Sequence, residues 1–264
     1  MGAAKAAVAV LLFALGLASA PRSSVAWDLI LCAAPNNLPF SDRDGTGFEN
    51  RIAAALANYL GAKLDVLWFH GGEETIDTRL RVGECDVVMD VEDGHPAVLS
   101  TLTYYRSPYV FVQRADRPFT VHSFDDLMSQ NLSIGVQATG GPAHDALSVR
   151  GLEGSIHRFY DTEPEAIIDD VARGEIDVGV MWGPTAGYLA STAPVPLKVS
   201  PVTPEFEPPF IPMFINMVMG VRRGDEELRD LLDGAIAARW DEITAILEDL
   251  HVPIMPLQKP VATR

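Results

Sequence analysis

The sequence predicts an α/β fold of two lobes, each a mostly parallel sheet flanked by helices, with two crossover segments between them. Three observations predict it. Strand and helix signals alternate from residue 29 onward. The alternation then restarts, with Gly83-Glu84-Cys85-Asp86-Val87 matched by Gly174-Glu175-Ile176-Asp177-Val178 at an offset of 91. The remaining tail offers too few elements for a third lobe. Strands alternating with helices are the pattern of a parallel sheet with covering helices.

The elements follow in order. Leu29 to Ala33 is a short apolar run, read as a buried strand, and the loop Pro35 to Phe40 follows it. Ile52, Leu56, Tyr59 and Leu60 fall at helical spacing after Gly47-Phe48-Glu49, and Gly61 stands where a left-handed cap belongs. Lys63 to Phe69 reads as a strand, Thr75 to Val82 as a helix stopped by Gly83, and Asp86 to Met89 as a strand. In the second lobe Ile134 to Gln137 is a strand running into Ala138-Thr139-Gly140-Gly141-Pro142 and a helix to Val149. Ile156 to Tyr160 is a strand, Pro164 to Arg173 a helix with Pro in its first turn, and Ile176 to Met181 a strand. Met217 to Val221 is a strand, and Asp225-Glu226-Glu227 starts a helix with an N-cap and first-turn acids. These last elements should dock back on the first lobe. The expected division is therefore 27–110 with 205–264 for lobe 1 and 111–204 for lobe 2. The chain would cross near Tyr104–Arg114 and near the proline-rich Lys198–Pro212.

Composition excludes several classes. The 264 residues carry 20 Lys+Arg against 36 Asp+Glu, a net charge of −16. A nucleic-acid binder needs cations to displace counterions from phosphates, and a polybasic membrane-surface protein needs them for lipid headgroups. At 48% hydrophobic the chain can bury a core. Two cysteines are too few for a disulfide scaffold or a four-cysteine zinc module. The six histidines form no H-x-x-x-H pair, so no metal site is expected. Asp90, Glu92 and Asp93 could hold a hard cation such as calcium, although a solvated loop is the ordinary reading. No Walker, dinucleotide or G-x-S-x-G motif is present, so no catalytic residues and no bound cofactor are expected.

Residues 1–26 read as a cleaved secretory signal. Met1 to Lys5 carries one positive charge, Ala6 to Ala20 is uncharged and apolar, and Ser24-Val25-Ala26 offers small residues for cleavage. The alternative is an uncleaved anchor, but the apolar run is short of the ~20 residues that a span needs. Cleavage removes Lys5 and Arg22 and no acid, so −16 becomes −18. The mature chain is then expected in the periplasm, free of the membrane, where disulfides form.

Asn37-Leu38-Pro39-Phe40, Gly47-Phe48-Glu49-Asn50-Arg51-Ile52, Leu60-Gly61-Ala62, Thr103-Tyr104-Tyr105 and Ile134-Gly135-Val136-Gln137 together resemble a type II periplasmic solute-binding protein, over essentially the whole mature chain. Cys32 to Ser41, Cys85 to Met89, Tyr104-Tyr105-Arg106-Ser107 and Val180 to Tyr188 resemble one subgroup more narrowly. That subgroup is the quinoprotein-dehydrogenase-associated MxaJ/XoxJ type of bacterial methanol oxidation. The resemblance implies two lobes closing around a cleft. It also implies a periplasmic accessory to a PQQ-dependent methanol dehydrogenase. The other function carried forward is a transporter-linked solute-binding protein for a small organic molecule other than an amino acid.

Amino-acid-binding relatives place an Arg before the crossover to clamp a carboxylate, and an Asp in the second lobe to hold an ammonium. Here Val91-Glu92-Asp93-Gly94-His95-Pro96 and Trp182-Gly183-Pro184 stand at those places. The bidentate contact that such a ligand needs is missing. Ligands of open α/β sheets sit beyond the C-terminal strand ends. That rule places Asn36, Asn37, Phe40, Asp90, Gln137, Thr139 and Trp182 near the cleft, where each could equally serve turn chemistry or packing.

In a lobe of this type the strands ending at Cys32 and beginning at Cys85 are neighbours. Compartment, count and the ~5 Å strand spacing favour a Cys32–Cys85 disulfide. Two buried free thiols are the alternative.

Overall fold

The computed structural model describes residues 27–69, 76–160 and 163–260. The expected leader, 1–26, and Thr75 lie outside the described residues. Chain order is β1 (Asp28–Ala33), β2 (Asn36–Asn37), β3 (Ser41–Asp42), α1 (Phe48–Leu60), β4 (Lys63–Trp68), a π-type turn (Ile76–Leu80), β5 (Val87–Glu92), β6 (Leu99–Ser100) and β7 (Tyr105–Arg114). Then come α2 (Phe124–Gln130), β8 (Ile134–Val136), α3 (Pro142–Val149), a 3-10 turn (Glu153–Ser155), β9 (Ile156–Phe159), α4 (Pro164–Arg173), β10 (Val178–Trp182) and α5 (Gly183–Ser191). The chain ends with β11 (Leu197–Pro201), β12 (Phe206–Glu207), β13 (Ile211–Pro212), β14 (Phe214–Val221) and α6 (Glu226–Asp249).

The strands run β4-β1-β5-β14-β7-β10-β8-β9. Pairing is parallel within β4-β1-β5 and within β10-β8-β9. It is antiparallel where β14 and β7 join the two halves. β7 is the strand that passes between lobes. Tyr105–Pro108 pair with β14, and Tyr109–Gln113 pair with β10. Each half has its own apolar core. Leu31, Ile52, Leu56, Met219, Ile236 and Leu247 belong to one. Phe111, Phe124, Ile134 and Val180 lie on one face of the second sheet, with Val112, Ile167 and Val171 on the other. At the C-terminal end α6 packs on α1, and its two apolar stretches flank a break at Arg239.

The expected helix from Thr75 to Val82 is reduced to the single π-type turn. Leu80 is buried but Val82 is exposed, so no apolar face continues past Leu80. The turn ends where Gly83 takes φ 81° and the Glu84 N–H donates to the Arg79 carbonyl. It delivers Cys85 to a disulfide with Cys32, with Cα atoms 5.6 Å apart. Cys85 lies just before β5, outside the ladder. The opposite strand ends of the two cysteines are therefore no obstacle.

Candidate ligand cleft

The site begins with a short ribbon docked on a helix end. β2 and β3 pair as Asn36↔Asp42 and Asn37↔Ser41, turning through the cis Leu38–Pro39 bond. The carbonyls of Pro39 and Phe40 accept from the N–H groups of Phe48 and Glu49, both at 2.8 Å. They thereby satisfy first-turn donors that a helix leaves open. The approach requires glycine before the helix, because a Cβ on Gly47 would lie 2.3 Å from the Phe40 carbonyl oxygen. Phe40 packs on Phe48 with ring centroids 5.2 Å apart, and Phe48 on Tyr105 at 5.8 Å.

This docking buries Glu49, which is only 7% exposed. Its carboxyl is pushed up to about 8, first by burial and then by the Asp90 charge, partly offset by the Ser41 hydroxyl. Asp90 stands on β5 with left-handed backbone, φ 57°, a conformation Asp tolerates better than most residues. The ladder bulges there, with Val91 and Val88 opposite Val218 and Gly220. A bulge re-aims side chains and recurs beside binding sites. Asp90 accepts the Tyr105 hydroxyl, and its own N–H donates to the Tyr104 hydroxyl at 3.3 Å. Burial also raises Asp90, to about 6, against the lowering effect of Tyr105. Burial and the two carboxylates push both phenols well above their ordinary range. The floor of the first lobe is thus a carboxyl pair, Glu49 buried and Asp90 half-buried, capped by two neutral tyrosines.

The second lobe supplies the facing wall. Gln137 follows β8 and accepts the Trp182 N–H on its side-chain oxygen at 2.7 Å. Trp182 ends β10 and lies against Tyr109, with centroids 5.4 Å apart and planes at 55°. An inner cavity of about 330 Å³ is lined by Asp90, Glu92, Tyr109, Gln137, Trp182 and Met217 among others. An outer one of about 570 Å³ shares Gln137 and Trp182 and adds Asn36, Asn37, Phe40 and Arg43. A third, of about 280 Å³, brings Asn37, Glu49 and Asp90 together.

Six of the seven residues expected at the cleft therefore line one of these cavities. Thr139 is exposed in the loop before α3 and lines none of the three. Sequence reasoning missed Glu49, Tyr104, Tyr105 and Tyr109. Glu49 carried a readable signal, an acid on the apolar side of a helix beside Phe48 and Ile52. Where Arg and Asp clamps were expected to be missing, the inner cavity shows Glu92 and Trp182, and no Lys, Arg or His is among the described residues lining it. Among the described residues there is also no cluster of three or more potential metal ligands, and no helix is long and apolar enough to cross a membrane.

Two lobes joined through long antiparallel strands, with cavities between them, define the periplasmic-binding-protein class. The solved structure of MxaJ from Methlophaga aminisulfidivorans MPT superposes with a TM-score of 0.75 at 25% identity, covering 86% of this chain and 100% of that one. The periplasmic binding protein XoxJ from Methylobacterium extorquens AM1 gives 0.73 at 33% identity, covering 87% and 100%. Protein MoxJ of Paracoccus denitrificans is 31% identical over 261 residues, 92% of this chain and 94% of that protein. The chain belongs to the MoxJ family. No protein-family model matches it.

Proposed function

We propose that this chain is an exported periplasmic accessory of methanol oxidation rather than an enzyme. It would assist the maturation, assembly or activation of a PQQ-dependent methanol dehydrogenase, through protein contacts, a small ligand in the cleft, or both. Kinship with MoxJ, MxaJ and XoxJ supports the link to this system. The observation that carries the accessory role is the cleft itself. It has kept the two-lobed scaffold but presents Glu92 and Trp182 where an amino-acid clamp would need paired opposite charges.

Immobilised mature protein should retain the methanol dehydrogenase from periplasmic extract of the same cells. Retention should weaken with salt, because a charge of −18 accelerates encounter with a basic partner. Passage of the dehydrogenase through the column at low salt would count against the reading. Calorimetric titration with the common amino acids should show no micromolar binding, and such binding would favour a transport role.

A further inference from the structure

We infer that the interlobe cleft is built to hold a small organic cation without a carboxylate, such as a quaternary alkylammonium group. The inference rests on reading the cleft as a ligand site and is independent of any dehydrogenase contact. The inner cavity of about 330 Å³ is a size that suits a small molecule. One side of it is an aromatic corner, Trp182 against Tyr109 at 5.4 Å. The other side carries Asp90 and Glu92 from β5.

A cation over a ring face is drawn by the ring quadrupole, and more strongly where water is excluded. Facing carboxylates add Coulomb attraction to the same charge. A ligand carboxylate would meet those two acids with no cationic side chain among the described lining residues. Arginines lining adjacent cavities are engaged elsewhere. Arg106 donates to Asn216 at 2.6 Å and stacks on Phe214, and Arg43, at the outer rim, stacks over Trp68 at 5.5 Å. The corner is also held in place, since Gln137 fixes the Trp182 backbone. Burial, and then Glu92, push the Tyr109 phenol up to about 12, so it stays a neutral ring.

The test uses three isosteric probes on the mature chain, followed by calorimetry. Choline carries the cation alone, 3,3-dimethylbutan-1-ol is its neutral isostere, and glycine betaine adds a carboxylate. Choline should bind at least roughly tenfold tighter than either other probe, equivalent to about 1.4 kcal/mol. Trp182→Leu and Glu92→Gln should each weaken choline several-fold. Glu92 is exposed, so its variant folds and keeps the test decisive. No choline binding, equal binding of the neutral alcohol or betaine, or affinity unmoved by Glu92→Gln would overturn the inference. Each of those outcomes leaves the retention experiment above to be judged on its own.

Discussion

At the scale of single residues, the unusual chemistry is the Glu49–Asp90 pair. Glu49 has a folded pKa raised from 4.5 to about 8, so the folded state holds its proton more tightly than the unfolded state does. That stabilisation is full below about pH 4.5 and is lost as pH rises toward about 8. Glu49→Gln keeps the neutral form at every pH. Urea unfolding at roughly pH 5 and 8 should show the variant gaining on the wild type by more than about 1 kcal/mol at the higher pH. Parallel profiles would contradict the assignment. The disulfide supplies a second prediction. Its closed loop spans 53 residues, so Cys32→Ala with Cys85→Ala should cost about 4 kcal/mol in the chain-entropy model. An unchanged urea midpoint would show that the bond adds nothing. The cysteine pair was legible because compartment and strand adjacency are visible in the chain. The carboxyl pair was legible only in part: Glu49 shows as an acid on the apolar side of its helix, but its burial beside Asp90 comes from the ribbon around Phe40. That contact depends on the turn folding back and leaves no periodic trace.

At the scale of elements, the β12–β13 hairpin shows how a proline-rich stretch becomes ordered. Phe206 pairs with Pro212 and Glu207 with Ile211, and the turn projects Phe210 into solvent at 89% exposure. Its foot is a buried ion pair. The Arg150 Nε donates to Glu207 at 2.9 Å, and the Glu207 carboxylate is fully buried. Arg150→Met would strand that charge, at a cost of about 3–5 kcal/mol. Adding Glu207→Leu should restore most of the loss, and a double variant as unstable as the single would refute this account of the anchor. Most elements could be read from the sequence, because strand and helix periods are local and Gly61 and Gly174 mark helix ends as left-handed caps. The π-type turn differs from the expected helix because the apolar side stops at Leu80 and Val82 faces solvent. The hairpin has no periodicity at all; a long-range charge pair holds it.

At the scale of the whole molecule, two lobes share one path of strands through β7 and β14, and the tail adds a further link. After α6 has packed on the first lobe, residues 251–255 run back along β7 and α5. Ser107 Oγ donates to the Pro253 carbonyl at 2.5 Å, and the Met255 N–H donates to the Arg106 carbonyl at 2.8 Å. The fit against α5 is tight, since a Cβ on Gly187 would stand 2.0 Å from the His251 oxygen. Gly187→Val should displace this strap and cost about 1–3 kcal/mol, read as a lower unfolding midpoint. Two-lobed architecture was visible in the repeated strand-helix grammar. The strap and the cavity shape were not, because both depend on how finished lobes meet. If the whole molecule serves methanol oxidation, as proposed, its loss must be felt by the dehydrogenase. The most direct measurement is methanol dehydrogenase assembly and activity in periplasm from cells lacking this gene, with and without a restoring copy. The account predicts that active dehydrogenase falls sharply without the gene and returns with the copy; assembly and activity that stay unchanged would contradict it.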